Sequence, residues 1–238
     1  MDDEEIRQTA IEFAKRNKMK IARELTDRSI FPSEDLPISV FMAGSPGAGK
    51  TEFSKTVIAI LEEGRERRVI RIDGDEIRSR LPGYEGSNSH LFQKAIIPVV
   101  EKIHDLALHQ KQNFVLDGTF ASYDVAKKNI QRSLKEERPI FVFYLYQAPQ
   151  VAWTFTQGRE VDEGRRILKQ TFIYQFIGAR ETVEKVLEEF NEKITVFLVK
   201  KDFEKNDVED IVKLDLKGKG IDDIVKERYT KDLLEQLL

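Results

Sequence analysis

The chain has 238 residues, no cysteine, and 42 Asp and Glu against 39 Lys and Arg, for a net charge of −3. These numbers exclude disulfide scaffolds, thiolate catalysis and cysteine-ligated zinc, and they leave no positive excess for wrapping nucleic acid or spreading on an anionic membrane. No apolar run approaches the ~18 residues of a membrane span and the start at Met1–Glu5 is acidic, so the expectation is a cytoplasmic protein folded as one α/β domain over residues 1–238.

Residues 4–24 read as a helix, with Ile6, Ala10, Phe13, Ala14, Ile21 and Ala22 on one face, and Phe31–Pro37 breaks it. Within residues 1–36 this helix is expected to pack on the domain. The apolar run Ile38–Ala43 then reads as a strand, and Thr51–Leu61 as a helix with apolar residues at 53, 57, 60 and 61. Between them lies Gly44-Ser45-Pro46-Gly47-Ala48-Gly49-Lys50-Thr51, which meets the P-loop pattern G-x-x-x-x-G-K-[ST] at every constrained position. Such a loop turns its backbone N–H groups toward phosphate oxygens, sends Lys50 to the β- and γ-phosphates and offers the Thr51 hydroxyl to Mg²⁺. Gly44 to Thr51, with the adjoining Glu52, form the expected nucleotide-binding set. A glycine-rich turn without a ligand is the bland alternative, and the order strand, loop, helix argues against it.

A second strand, Val69–Asp73, ends in Asp73-Gly74-Asp75. A carboxylate here, beside the P-loop, can orient Mg²⁺ through water or take the proton of an attacking hydroxyl. Equally, Asp73 or Asp75 can cap a helix starting near Glu76. In the helical pattern that follows, Pro98 marks an early turn or a kink. Glu101 lies beside the apolar face of Ile96, Val100, Ile103 and Ala107, and its spacing points to solvent, with an inward position as the alternative. The third strand, Phe114–Asp117, places Asp117 where a P-loop protein holds Mg²⁺ or its water shell, although Asp-Gly turns also end ordinary strands.

After the strand Ile140–Tyr146 and a short helix comes Gln157–Lys169, in which Arg159, Arg165 and Arg166 are bracketed by Gly158 and Gly164. The region 153–170 reads as a mobile lid whose arginines close over a transferring phosphoryl group, or as a loop in surface ion pairs with Glu160, Asp162 and Glu163. Ile194–Val199 is a further strand. The C-terminal segment 200–238 reads as a strand-like Asp210–Leu216 and a closing helix Ile221–Leu238. Short β-rich segments alternating with helical ones predict an α/β fold of the P-loop kinase type, with a mainly parallel sheet flanked by helices and ligands at the carboxyl ends of the strands.

Together these motifs resemble the zeta toxin family of P-loop kinases over about Ile38 to Lys169. Gly44–Thr51 matches its P-loop and Ile72-Asp73-Gly74-Asp75 its Asp-x-Asp element. Leu116-Asp117-Gly118-Thr119 is similar to its apolar-Glu-Gly-Thr element, and Arg159 with Arg165 or Arg166 to its paired lid arginines. The resemblance implies phosphorylation of the 3′-hydroxyl of the amino sugar in UDP-N-acetylglucosamine with ATP and Mg²⁺, and an antitoxin protein as a possible partner. It implies Asp75 as general base, Lys50 on phosphate, and Arg159 with Arg165 or Arg166 on the transferred group. Asp73, Glu101, Asp117 and Thr119 would line the sugar-nucleotide site, and Thr51 and Asp117 would hold the metal. Two departures stand out: Asp117 replaces the usual glutamate, and Ala121 stands where toxins of the type carry an arginine. Other nucleotides, dinucleotides or a polynucleotide 5′-hydroxyl are alternative acceptors, the last disfavoured by little interleaving of basic and aromatic residues. An ATP-binding interaction protein without phosphoryl transfer is the alternative of another class.

Overall fold

The fold is taken from a computed structural model, which describes residues 2–64, 68–164, 166–201 and 208–238. Its centre is a six-stranded sheet of β1 (Ser39–Ala43), β2 (Ile70–Asp73), β3 (Phe114–Asp117), β4 (Ile140–Tyr146), β5 (Thr195–Lys201) and β6 (Val208–Lys213) in the order β2-β3-β1-β4-β5-β6. The first five run parallel and β6 pairs antiparallel with β5 at the edge. Every residue of β1 is buried, as a central parallel strand covered on both faces requires.

Successive side chains of β1 feed two different cores. Phe41 and Ala43 join the larger one with residues of α1 (Asp3–Leu25), α4 (Gln93–His109), α5 (Tyr123–Lys135) and α7 (Lys169–Phe190). Val40 and Met42 join the smaller one with Phe53 and Val57 of α2 (Lys50–Glu62). Helix α1 starts from a capping box, in which Asp2 accepts from the backbone of Glu5 and the Glu5 carboxylate accepts from the N–H of Asp2, and it packs along α4 through Ala10, Ala14, Ile21 and Ala22. Pro98 lies inside α4, in its second turn. No helix among the described residues is long and apolar enough to cross a membrane.

Three expectations are corrected. The segment after β4 is not a short helix followed by a loop, because α6 runs from Pro149 to Glu163 and ends at Gly164, which has the left-handed φ of 68°. Gly158 sits inside this helix, where a Cβ would meet nothing within 4 Å, and an interior glycine costs only ~1 kcal/mol relative to alanine. The strand expected at Asp210–Leu216 forms instead at Val208–Lys213. The closing helix is divided into α8 (Ile221–Ile224) and α9 (Lys231–Leu237). Between them the chain is drawn to the buried Arg180 of α7, whose guanidinium donates to the carbonyls of Val225 (3.5 Å) and Glu227 (2.9 Å) and to Asp222 (2.5 Å).

Candidate active site

The P-loop links β1 to α2 in the form its glycines dictate. Gly49 precedes α2 with φ of 83° and Gly47 has φ of 73°, both in the left-handed region that a β-carbon disfavours. At Gly47 the demand is also spatial: a Cβ would stand 2.0 Å from the Ala152 carbonyl oxygen of α6. Helix α6 therefore lies directly on the phosphate loop. Lys50 Nζ donates to the Ser45 carbonyl at 2.7 Å, and Gly44 N–H donates to the Thr119 carbonyl at 3.1 Å, tying the loop to the end of β3.

Beside the loop, Asp73 and Asp117 occupy paired positions on β2 and β3. Arg71, two residues earlier on β2, donates to Asp73 Oδ2 (2.6 Å), to Asp117 Oδ2 (2.7 Å) and to the Ser54 hydroxyl of α2 (3.1 Å), and it also pairs with Glu76. Ser54 Oγ lies 2.9 Å from Asp117 Oδ2. Asp73 Oδ1 accepts the Asp75 backbone N–H at 2.8 Å, so Asp73 caps α3 (Gly74–Arg78). Burial, and then the Asp75 charge, push the Asp73 carboxyl up to about 6, against the pull of the Asp75 N–H and of Arg71. Asp75 stands in the first turn of α3, and its carboxylate meets Arg78 Nη1 at 2.5 Å.

These groups line one cavity of about 520 Å³. Its lining includes Pro46, Gly47, Gly49, Lys50 and Thr51, Asp73, Asp75, Asp117 and Thr119, Arg159 from α6 and Arg166 from the α6–α7 connection. Gly44, Ser45 and Ala48 are buried behind the lining. Glu52 is exposed outside it and accepts from Arg159 Nη2 at 3.2 Å. Arg166 lies within 3.7 Å of Glu160, and its backbone carbonyl accepts from the Ser89 hydroxyl at 3.1 Å. Arg165 lies outside the described residues.

Glu101 is not brought to the cavity. It pairs with Lys128 of α5 at 3.1 Å on the exposed side of α4, because Val99, Ile103 and Ala107 take the buried face. The position of Ala121 also has a physical account. A Cβ on Gly178 of α7 would lie 2.6 Å from the Ala121 carbonyl oxygen and 3.3 Å from its Cβ, so α7 occupies the space beside this residue. Phe120, just before it, takes a left-handed φ of 59° and packs its ring against Phe41.

Sequence reasoning did not single out Arg78, Gln93, Thr156, Thr171, Tyr174 and Gln175, all of which line the cavity. For Arg78 a signal existed, since an arginine three residues after Asp75 on a helix shares its face. The α7 residues carry none, because only the packing of that helix brings them to the cavity. Among the described residues no three His, Asp or Glu side chains converge as a metal cage. Thr51 and Asp117 both line the cavity, and a hydroxyl and a carboxylate are donor types that suit Mg²⁺, which takes one or two protein oxygens and completes its shell with phosphates and water.

The Zeta toxin family model matches residues 21–212. No curated protein matches by sequence. Among solved structures, one from the PezAT chromosomal toxin–antitoxin system of Streptococcus pneumoniae aligns with a TM-score of 0.68 and 19% identity, covering 100% of this chain and 95% of that one. AvrRxo1-ORF1:AvrRxo1-ORF2 with sulphate ions aligns at TM-score 0.59 and 12% identity over 88% of this chain and 66% of that one. The same pair solved with ATP gives TM-score 0.58 and 12% identity over 88% and 65%. Likenesses at these identities carry the fold, the mostly parallel α/β sheet of a P-loop kinase, while the family match covers most of the sequence. The chain belongs to the zeta toxin family.

Proposed function

We propose that the protein is an ATP-dependent kinase that transfers the γ-phosphoryl group to a hydroxyl of a nucleotide sugar of the UDP-N-acetylglucosamine type. The observation that carries this is a single cavity lined by Lys50, Thr51, Asp75, Arg159 and Arg166. The P-loop N–H groups and Lys50 hold the β- and γ-phosphates of ATP, a reading supported by the AvrRxo1 structure solved with ATP. Thr51 and Asp117 would hold Mg²⁺, which would supply neutralisation of the phosphate charge. Asp75 takes the proton of the acceptor hydroxyl as its oxygen bonds to the γ-phosphorus, the bond to the bridging oxygen breaks, and ADP leaves. Arg159 and Arg166 balance the charge on the transferring group.

The test incubates wild type and Asp75→Asn with ATP, Mg²⁺ and UDP-N-acetylglucosamine, and compares by mass spectrometry the metabolites of cells expressing each. The wild type should yield a phosphorylated sugar nucleotide that the mutant does not. A product of another class redirects the acceptor, and equal product from both proteins removes Asp75 as the base. The PezAT likeness supports a separate antitoxin protein as a partner. Copurification of a product encoded beside the gene checks it.

A further inference from the structure

We propose that Arg78 is the positioning residue that aims Asp75 at the acceptor hydroxyl. The inference rests on the reading of Asp75 as the base and adds a residue to it. Helix α3 is five residues long, too short to fix a carboxylate by its own rigidity. It is pinned at its start by Asp73, which caps it, and at its end by Arg78, its last residue. Arg78 is 7% exposed, yet it lines the same cavity as Lys50 and Thr51.

Its planar fork spans two elements. Nη1 donates to Asp75 Oδ1 at 2.5 Å, and Nη2 donates to Oε1 of Gln93, the first residue of α4, at 3.3 Å. The carboxylate is thereby referenced to α4, which is packed against α1 through the core. Arg78 Nε is buried without a partner. A buried arginine that leaves a donor unmet is costly as a stability device, and its expense is offset where the fork geometry fixes a reacting group. Lysine, a point charge on a flexible stem, cannot reproduce that fork.

The experiment is a double-mutant cycle on ADP release, with ATP and Mg²⁺ as donor and UDP-N-acetylglucosamine or a small-molecule cell extract as acceptor. The proteins are wild type, Arg78→Gln, Arg78→Lys, Asp75→Asn and Asp75→Asn/Arg78→Gln, each checked for an intact thermal transition. Arg78→Gln should lower kcat about 100-fold, the scale of a small misplacement of a reacting group, with KM for ATP within about twofold. Arg78→Lys should recover only a minor part of it. In the Asp75→Asn background the Arg78 change should add nothing, because there is no carboxylate left to aim. Multiplying losses in the double mutant, or a loss confined to KM for ATP, would overturn the positioning role while leaving Asp75 as base. Full activity of Asp75→Asn removes the base and this role with it, as does a wild type that releases no ADP with either acceptor. If Arg78→Gln fails to fold, Arg78→Lys at wild-type kcat overturns the proposal and a deep loss of kcat at constant KM supports it.

Discussion

Asp73 and Asp117 stand side by side at the ends of β2 and β3, and one arginine, Arg71, donates to both at 2.6 and 2.7 Å. Arg71 is 11% exposed at its side chain, so it is a largely buried counter-charge shared by two carboxylates of the site. Removing one member of such a cluster leaves uncompensated charge, at a cost of roughly 3–5 kcal/mol. Arg71→Met is therefore expected to lower stability by about 3 kcal/mol in urea unfolding at pH 7.5, and by less near pH 5, where Asp73 with its carboxyl at about 6 carries a proton. A change under about 0.5 kcal/mol at pH 7.5 would mean that the cluster is solvated in solution.

Gly47→Ala should uncouple nucleotide binding from folding. A left-handed alanine costs roughly 1–2 kcal/mol before any contact is counted, and here the methyl would also meet the Ala152 carbonyl. Since each 1.4 kcal/mol is about tenfold in affinity, titration with a fluorescent ATP analogue should show at least a tenfold weaker complex. Circular dichroism should stay that of the wild type. Unchanged affinity would place α6 away from the loop in solution.

Arg159→Ala separates chemistry from binding. Its ion pair with Glu52 is exposed, so the melting temperature should barely move. Loss of a charge that acts on the transferring group typically costs about 10²–10³ in kcat, and that fall, with KM for ATP nearly constant, is the expected outcome of steady-state assays. Equal effects on Glu52→Ala would instead assign both residues to fold maintenance.

His104 sets a limit on acid stability. It is 1% exposed between Phe41 and Phe114, its Nε2 has no partner, and burial, then the Arg132 and Arg138 charges, lower its pKa from 6.5 to about 3. The unfolded chain takes up this proton below pH 6.5 while the folded chain does not until about 3, so stability is lost as pH falls through that window. The slope approaches about 1.4 kcal/mol per pH unit for one proton. Asp73 runs the other way: its raised pKa gives stability that is lost as pH rises from 3.8 through about 6. His104→Leu should flatten the acid limb of a urea midpoint-versus-pH curve relative to wild type. An unchanged limb would mean that another group governs it.

The P-loop, the strand ends and the sheet were legible because their determinants are local: glycine torsions, a lysine and a threonine at fixed spacing, and apolar runs of strand length. What was not legible depends on distant partners. The closing helix breaks because Arg180, over forty residues earlier, takes two carbonyls it would need. Glu101 was legible in part: its spacing on α4 pointed to solvent, where it lies, and only its partner Lys128 on α5 is invisible to any periodicity along α4. Gly158 and Gly164 read alike as loop residues, yet only Gly164 stops α6, since only there does the backbone turn left-handed. Tyr174 and Gln175 reach the cavity by helix packing alone.

The contact of Gly178 with Ala121 makes two positions far apart in sequence a single design variable. A larger side chain at 121 that turns toward Gly178 must find room that α7 now fills, and α7 also contributes Thr171 and Tyr174 to the cavity lining. Because Gly178 is already the smallest residue, no substitution at 178 can make that room, and any Cβ there would itself meet the Ala121 carbonyl oxygen at 2.6 Å. A bulkier residue at 121 or any side chain at 178 therefore presses on α7, the helix that brings Thr171, Tyr174 and Gln175 to the cavity.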